Sequence, residues 1–191
     1  MADPNLRHTD LGSFIDLQQH ANGDEIVSRD YYHYQSEPLP HQTISPDHLG
    51  SGGYGNVFKA QCVQTFEMVA LKRSDRSQIK VFKQEWAANL RVQNTSHVTR
   101  FLQLIVTNNY VYLAFELMGP ELFEAITEAN PGGLTEDQAR DATRSILLGL
   151  RHLHVDLDLI HRDIKPENLL LPINHSGSFQ GLKIADLGFC T

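Results

Sequence analysis

Between residues 159 and 170 the chain reads LIHRDIKPENLL, which places His161, Arg162, Asp163, Lys165, Glu167 and Asn168 between apolar flanks. A carboxylate at Asp163 could orient or deprotonate a hydroxyl, and an ammonium at Lys165 could neutralise charge on a migrating phosphoryl group. Asn168 could ligate magnesium through its carbonyl oxygen, with Asp186 of ADLG adding a carboxylate, because this hard cation takes oxygen ligands and keeps several waters. Singly, each residue also suits a turn or a cap. Together they are hard to explain as structure alone.

Three further stretches could complete such a site. In LGSGGYGNVFKA, Gly50, Gly52 and Gly55 have G-x-G-x-x-G spacing, which lets backbone amides approach a polyphosphate with no Cβ in the way. The same residues also suit a glycine-rich hairpin. A dinucleotide turn is disfavoured because NVFKAQCV is strand-like where that fold needs a helix. In FEMVALK, period-two alternation puts Phe66, Met68, Ala70 and Lys72 on one face. Two residues of strand advance about 6–7 Å, so a small Ala70 could lie under a planar base while Lys72 reaches phosphates and Val57 covers the other side. Taken alone, Lys72 is an ordinary lysine at a strand end. Glu85 could pair with Lys72, or be a solvated helix carboxylate.

The elements that must position these residues follow from periodicity. NVFKAQCV, FEMVALK, RFLQLIV and YVYLAFEL are rich in branched and aromatic residues and predict strands. Ile79, Phe82, Trp86 and Leu90 recur at spacings of three, four and four, the stripe of an amphipathic helix. A second helix opens at LTEDQ, where Thr135 and Gln138 have capping-box spacing, and runs through Ala139, Ala142, Ile146, Leu150 and Leu153. LLLP and LKIAD predict two short strands joined by a polar loop. A strand-rich part with one helix, followed by a helix-led part with a hairpin, is an α+β arrangement in two lobes.

At 191 residues with 41% hydrophobic content the chain can bury a sizeable core. A net charge of -7 offers no basic field for nucleic acid or anionic membrane. Cys62 and Cys190 are the only cysteines, too few and too far apart for a disulfide framework or a zinc site. The start MADPNLRHTD shows no leader, and no apolar run has the length of a membrane span, so an intracellular, cytoplasmic setting is expected, with the nucleus left open. Residues 1–44 mix acidic, His, Tyr and Pro residues and are expected to form a flexible extension. The cluster Tyr31–Tyr34 in it could dock on the domain.

With LGSGGYGNV, VALK, HRDIKPEN and DLG in order along one chain, the sequence resembles the eukaryotic protein kinase family over about residues 49–191. The resemblance implies a bilobal fold, with an N-lobe over 45–117 and an incomplete helical C-lobe over 118–191. It implies that Gly50, Gly52 and Gly55, with Ser51, Gly53 and Tyr54 between them, cover the phosphates of ATP. Lys72 would contact the α and β phosphates, Glu85 would hold Lys72, Asp163 would be the catalytic base, and Asn168 and Asp186 would hold Mg2+. Phe115 would guard the rear of the base pocket, Glu116 and Met118 would offer backbone groups to adenine, and Val57, Ala70 and Leu170 would sandwich the base. Lys165 resembles the serine/threonine branch, so the implied reaction is transfer of the ATP γ-phosphoryl group to a Ser or Thr hydroxyl of a protein substrate. Phe189 resembles the residue associated with a preference for serine.

The chain departs from the family pattern at several points. Leu187 stands for the usual Phe of Asp-Phe-Gly, Lys72 and Glu85 are only thirteen positions apart, and Asn89 lies four past Glu85 where an apolar side chain is expected. The loop Pro172–Gly181 looks like a surface insertion. The given residues end at DLGFCT, so an activation loop and an Ala-Pro-Glu motif are not expected among them, and Arg162 is expected to have no phosphorylated partner within them. Helices missing there would leave apolar surface uncovered, at about 25 cal/mol per Å², and an isolated chain is expected to be marginal or aggregation-prone. Two readings compete with a kinase: a non-catalytic product that binds nucleotide or a partner, and a small-molecule kinase of related fold.

Overall fold

The computed structural model describes residues 32–33, 47–52, 55–62, 64–92, 95–107, 109–129 and 132–191. Most of the expected extension, including Tyr31 and Tyr34, and the loop residues Gly53 and Tyr54, lie outside them. Backbone contacts divide the chain into two compact units, Met1–Lys83 with Phe101–Leu117 and Gln84–Arg100 with Met118–Thr191.

The first unit is built on an antiparallel sheet of β1 (Tyr32–His33), β2 (His48–Gly52), β3 (Gly55–Cys62), β4 (Met68–Asp75), β5 (Phe101–Val106) and β6 (Tyr110–Glu116), in the order β1-β3-β4-β6-β5, with β2 also on β3. Branched and aromatic residues dominate β3 to β6, and their alternation sets which face each joins. Ala60, Val69, Leu71, Ile105, Tyr112 and Ala114 form a buried cluster on one face. Gly55 is required by this packing: its φ is +145°, and an added Cβ would lie 2.2 Å from the Arg73 carbonyl oxygen. Phe66 departs from the expected alternation. It precedes β4 with φ +59° and is exposed, so only Met68, Ala70 and Lys72 share the predicted face. Asp75 then ends β4 by accepting from the Ser77 N–H, a bond that starts the turn into α1 (Ile79–Arg91) and holds its own carboxyl below the usual range.

The second unit holds α1 from Gln84 onward, the short helix α2 (Leu122–Glu124), the long helix α3 (Glu136–Arg151) and a two-stranded hairpin, β7 (Leu169–Leu170) with β8 (Lys183–Ile184). Thr135 and Gln138 form the expected capping box at the start of α3. Ala142 and Leu153 of the predicted stripe join Ala88, Val92, Leu171, Leu182, Ile184 and Leu187 in one buried cluster. Leu187, in the place of the usual Phe, is therefore a core residue, an apolar exchange the packing absorbs. Gly149 lets α3 approach the hairpin, since a Cβ there would lie 2.8 Å from Ile184 Cδ1.

The loop between β7 and β8 is more than a surface insertion. Phe179 is fully buried in the cluster, Gln138 Nε2 donates to the Gly177 carbonyl at 3.0 Å, and Ser178 Oγ lies 3.4 Å from Asp141 Oδ2. One aromatic side chain thus turns a polar loop into part of the core. Elsewhere in this unit Leu147, Val155, Ile160 and Ile173 are each more than half exposed. Among the described residues no helix is long and apolar enough to cross a membrane.

Candidate active site

In the first unit the sheet register does the positioning. Gly50 pairs with Val57, Val57 with Lys72, Lys72 with Leu113, and Ala70 with Phe115. Residues directly opposite each other on paired strands share a face, so Val57, Ala70, Lys72 and Phe115 lie on one surface beside the β2–β3 hairpin. The Lys72 ammonium stands 5.8 Å over the Phe82 ring, and the Phe115 ring meets Phe101 edge-on at 5.8 Å. Among the described residues nothing lies within 4 Å of a Cβ built on Gly50, so their packing does not demand glycine there. Ser51 Oγ donates to Asn56 Oδ1 at 2.7 Å and lies 2.9 Å from His48 Nε2, bracing the hairpin across its two strands. Glu116 ends β6 half-buried.

In the second unit the residues of the HRDIKPEN stretch converge. Asn168 Nδ2 donates to both the Asp163 carbonyl oxygen, at 2.8 Å, and Asp163 Oδ2, at 3.0 Å. Lys165 Nζ also meets Asp163 Oδ2, at 3.2 Å, and that bond pushes the Lys165 pKa up. Both partners use Oδ2, which leaves Oδ1 without a bond among the described residues and open to a hydroxyl proton. Because its amide nitrogen is committed twice, Asn168 turns Oδ1, its cation-seeking atom, away from Asp163.

The β7–β8 hairpin brings the two proposed metal ligands together. Leu169 pairs with Ile184, and the ladder continues with Ala185 N–H donating to the Asn168 carbonyl at 2.8 Å, so Asp186 follows one residue beyond Asn168's partner. Asp186 has φ +61°, and its Oδ1 accepts from the Gly188 N–H at 3.2 Å. A Cβ on Gly188 would lie 3.1 Å from Asp186 Oδ1 and 3.7 Å from Glu85 Oε2, so both carboxylates approach the same glycine. The oxygen donors Asn168 and Asp186 fit Mg2+, which keeps waters and phosphate oxygens in its shell. Among the described residues no three His, Cys, Asp or Glu side chains converge to cage a metal. Leu170 is half-buried between the buried Leu169 and Leu171, as alternation requires, and bridges to Glu121. Met118, just past β6, is half-buried.

Two residues without a role in the sequence reading hold this loop. His161 is fully buried: Nδ1 accepts the Asp163 N–H at 3.3 Å, which makes Nε2 the protonated nitrogen, donating to the Ala185 carbonyl at 3.0 Å. Desolvation lowers its pKa, so the imidazole is neutral, as this bonding pattern needs. The sequence signal was a histidine set in apolar flanks two residues before a candidate base. Arg162, at φ +68°, donates through Nε to the Phe189 carbonyl. Asn89, polar where an apolar residue was expected, is buried with its amide donating back to the Glu85 carbonyl at 2.9 Å. That bond gives one amide N–H a partner one turn back in the same helix.

A glycine-bearing hairpin with a lysine-bearing strand in one unit, and an Asp-Lys-Asn loop beside an Asp-Leu-Gly turn in the other, are the features of a protein kinase domain. The protein kinase domain family matches residues 44–191, and the chain belongs to that family. Among its relatives, serine/threonine-protein kinases of Drosophila erecta and Drosophila melanogaster are each 34% identical over 144 residues, 73% of this chain. A serine/threonine-protein kinase of Drosophila persimilis is 34% identical over 145 residues. The chain spans about a fifth of the length of these relatives, 19% of each.

Proposed function

We propose that this chain carries the ATP- and Mg2+-dependent site of a protein serine/threonine kinase, which transfers the γ-phosphoryl group of ATP to a Ser or Thr hydroxyl of a protein. The observation that carries the proposal is the Asp163 carboxylate, held on Oδ2 by Lys165 and Asn168 with Oδ1 open. Asp163 Oδ1 orients the acceptor hydroxyl and takes its proton. Lys165 meets the negative charge that develops on the transferring group, an electrostatic stabilisation fixed before reaction. Bound Mg2+ supplies charge neutralisation on the phosphates, and Asn168 Oδ1 with the Asp186 carboxylate are the groups that would hold it.

In this proposal Gly50, Ser51, Gly52, Gly53, Tyr54 and Gly55 cover the phosphates and Lys72 contacts them, with Glu85 as its carboxylate. Val57, Ala70 and Leu170 contact the base, Phe115 closes its rear, and Glu116 and Met118 offer backbone groups. The lobes correspond to 45–117 and 118–191, preceded by the 1–44 extension. The relatives' names support a Ser/Thr acceptor, and the two free cysteines support a reducing, intracellular setting.

The test is phosphoryl transfer to protein in the full chain and in two variants. Lys72→Met and Asp163→Ala are each expected to lower transfer by at least about 100-fold, with the urea midpoint nearly unchanged. Turnover at the unsubstituted rate in either variant overturns the assigned roles. Nucleotide binding without any transfer favours the non-catalytic reading.

A further inference from the structure

We propose that Gln84 is a positioning residue for the metal-binding turn, tying the helix that carries Glu85 to the segment just after Asp186. The inference rests on the kinase reading above. Gln84 Nε2 donates to the Cys190 carbonyl at 3.0 Å, across 106 positions of sequence. Seven residues further along the same face of α1, Arg91 donates to the Leu157 carbonyl. The helix therefore grips this unit's backbone at two points two turns apart.

The turn after Asp186 needs such anchors. Asp186 sits at φ +61°, a left-handed conformation that aspartate enters more readily than most residues but that still relies on surrounding contacts to hold it. Three side-chain or backbone ties surround it: Arg162 to the Phe189 carbonyl, Gln84 to the Cys190 carbonyl, and the reciprocal pair between Ile160 and Thr191, at 3.0 and 3.2 Å. Of these, only Gln84 comes from α1. Its neighbour Glu85 is buried, with its carboxylate beside Gly188 and thus beside Asp186. A cation held at Asp186 would meet both carboxylates at the separation this arrangement fixes. Gln84 sets that separation from the helix side. The Cys190 side chain packs in the buried core, and burial pushes its thiol pKa up to about 11.

The experiment compares the full chain with Gln84→Leu, Gln84→Glu and Gln84→Lys, reading the affinity of a fluorescent ATP analogue with magnesium and with chelator, and amide exchange over residues 187–191 without ligand. Leu and Glu lack the donor, and Lys keeps one of similar reach. The expected result is a loss of about three- to tenfold in magnesium-dependent affinity for Gln84→Leu and Gln84→Glu, the scale of one net hydrogen bond. Chelator-state affinity should be unchanged, exchange over 187–191 should be faster, and Gln84→Lys should behave like the parent. Parent-like affinity and exchange in Gln84→Leu, equal loss with and without magnesium, or failure of Gln84→Lys to restore the parent values each overturn the inference. If the parent chain itself binds no magnesium nucleotide, the kinase reading falls and this inference with it. A parent that binds beside a Gln84→Leu that matches it removes the inference alone.

Discussion

The candidate residues of the two compact units are positioned by opposite means. On the sheet, Val57, Ala70, Lys72 and Phe115 are placed by consecutive rungs of an ordinary ladder, and any residue at those register positions would face the same way. Around Asp163 regular structure is nearly absent. Placement there depends on left-handed backbone at Arg162 and Asp186, a buried neutral His161, and an asparagine amide that donates twice to Asp163. A ladder tolerates change in side chains as long as the backbone pairs. A loop built from side-chain-to-backbone bonds has no such reserve, so each of its polar residues carries a share of the geometry.

Substitutions can break this comparison, beginning with the glycines. Gly55→Ala is expected to destabilise the chain by about 3 kcal/mol, since the new Cβ meets the Arg73 carbonyl at a φ that disfavours it. Gly50→Ala, with nothing within 4 Å of the new Cβ among the described residues, should change stability by less than about 0.5 kcal/mol while weakening nucleotide binding. Urea midpoints and analogue titrations on the two variants read both effects. Equal destabilisation by the two would show that the hairpin, and not the ligand, accounts for glycine at both positions.

Thr135→Ala is expected to cost about 1 kcal/mol through loss of the α3 cap, with no effect on nucleotide affinity. A change in affinity would tie the site to α3 more tightly than the loop's own bonds suggest.

The smallest effect is visible only as a pH dependence. His161 has a folded-state pKa below its unfolded value, so the unfolded chain binds the extra proton first. The stability it contributes is fully present above the ordinary imidazole value of about 6.5, and declines as pH falls below that value toward the lowered one. Stability measured from pH 7.5 down to 5 should therefore fall, and His161→Asn should flatten that slope. An unchanged slope in the variant would place the acid sensitivity elsewhere.

Much of the architecture was legible because it follows from period and capping. The strands, the α1 stripe through the buried Phe82 and Trp86, and the Thr135–Gln138 box needed only local spacing. Phe66 shows where that reasoning overran: alternation was extended one step past the residue at which the strand begins, because a turn with positive φ leaves no mark in a hydrophobic pattern. The loop after β7 was misjudged for a related reason. Its polar composition signals surface, but the buried Phe179 depends on a pocket assembled from α3 and the hairpin.

The sequence by itself determined the chemical inventory: which carboxylates, amides, ammonium groups and glycines are present, in what order, and on which strand faces they fall. Those properties follow from residue type and from a backbone period that every strand or helix shares. Only the tertiary structure decided that Lys165 and Asn168 both use Asp163 Oδ2, that His161 is neutral, that Glu85 and Asp186 approach one glycine, and that Gln84 reaches Cys190. These contacts join groups from separate elements through single hydrogen bonds. Their geometry depends on how buried surfaces pack and on which polar groups burial leaves to be satisfied.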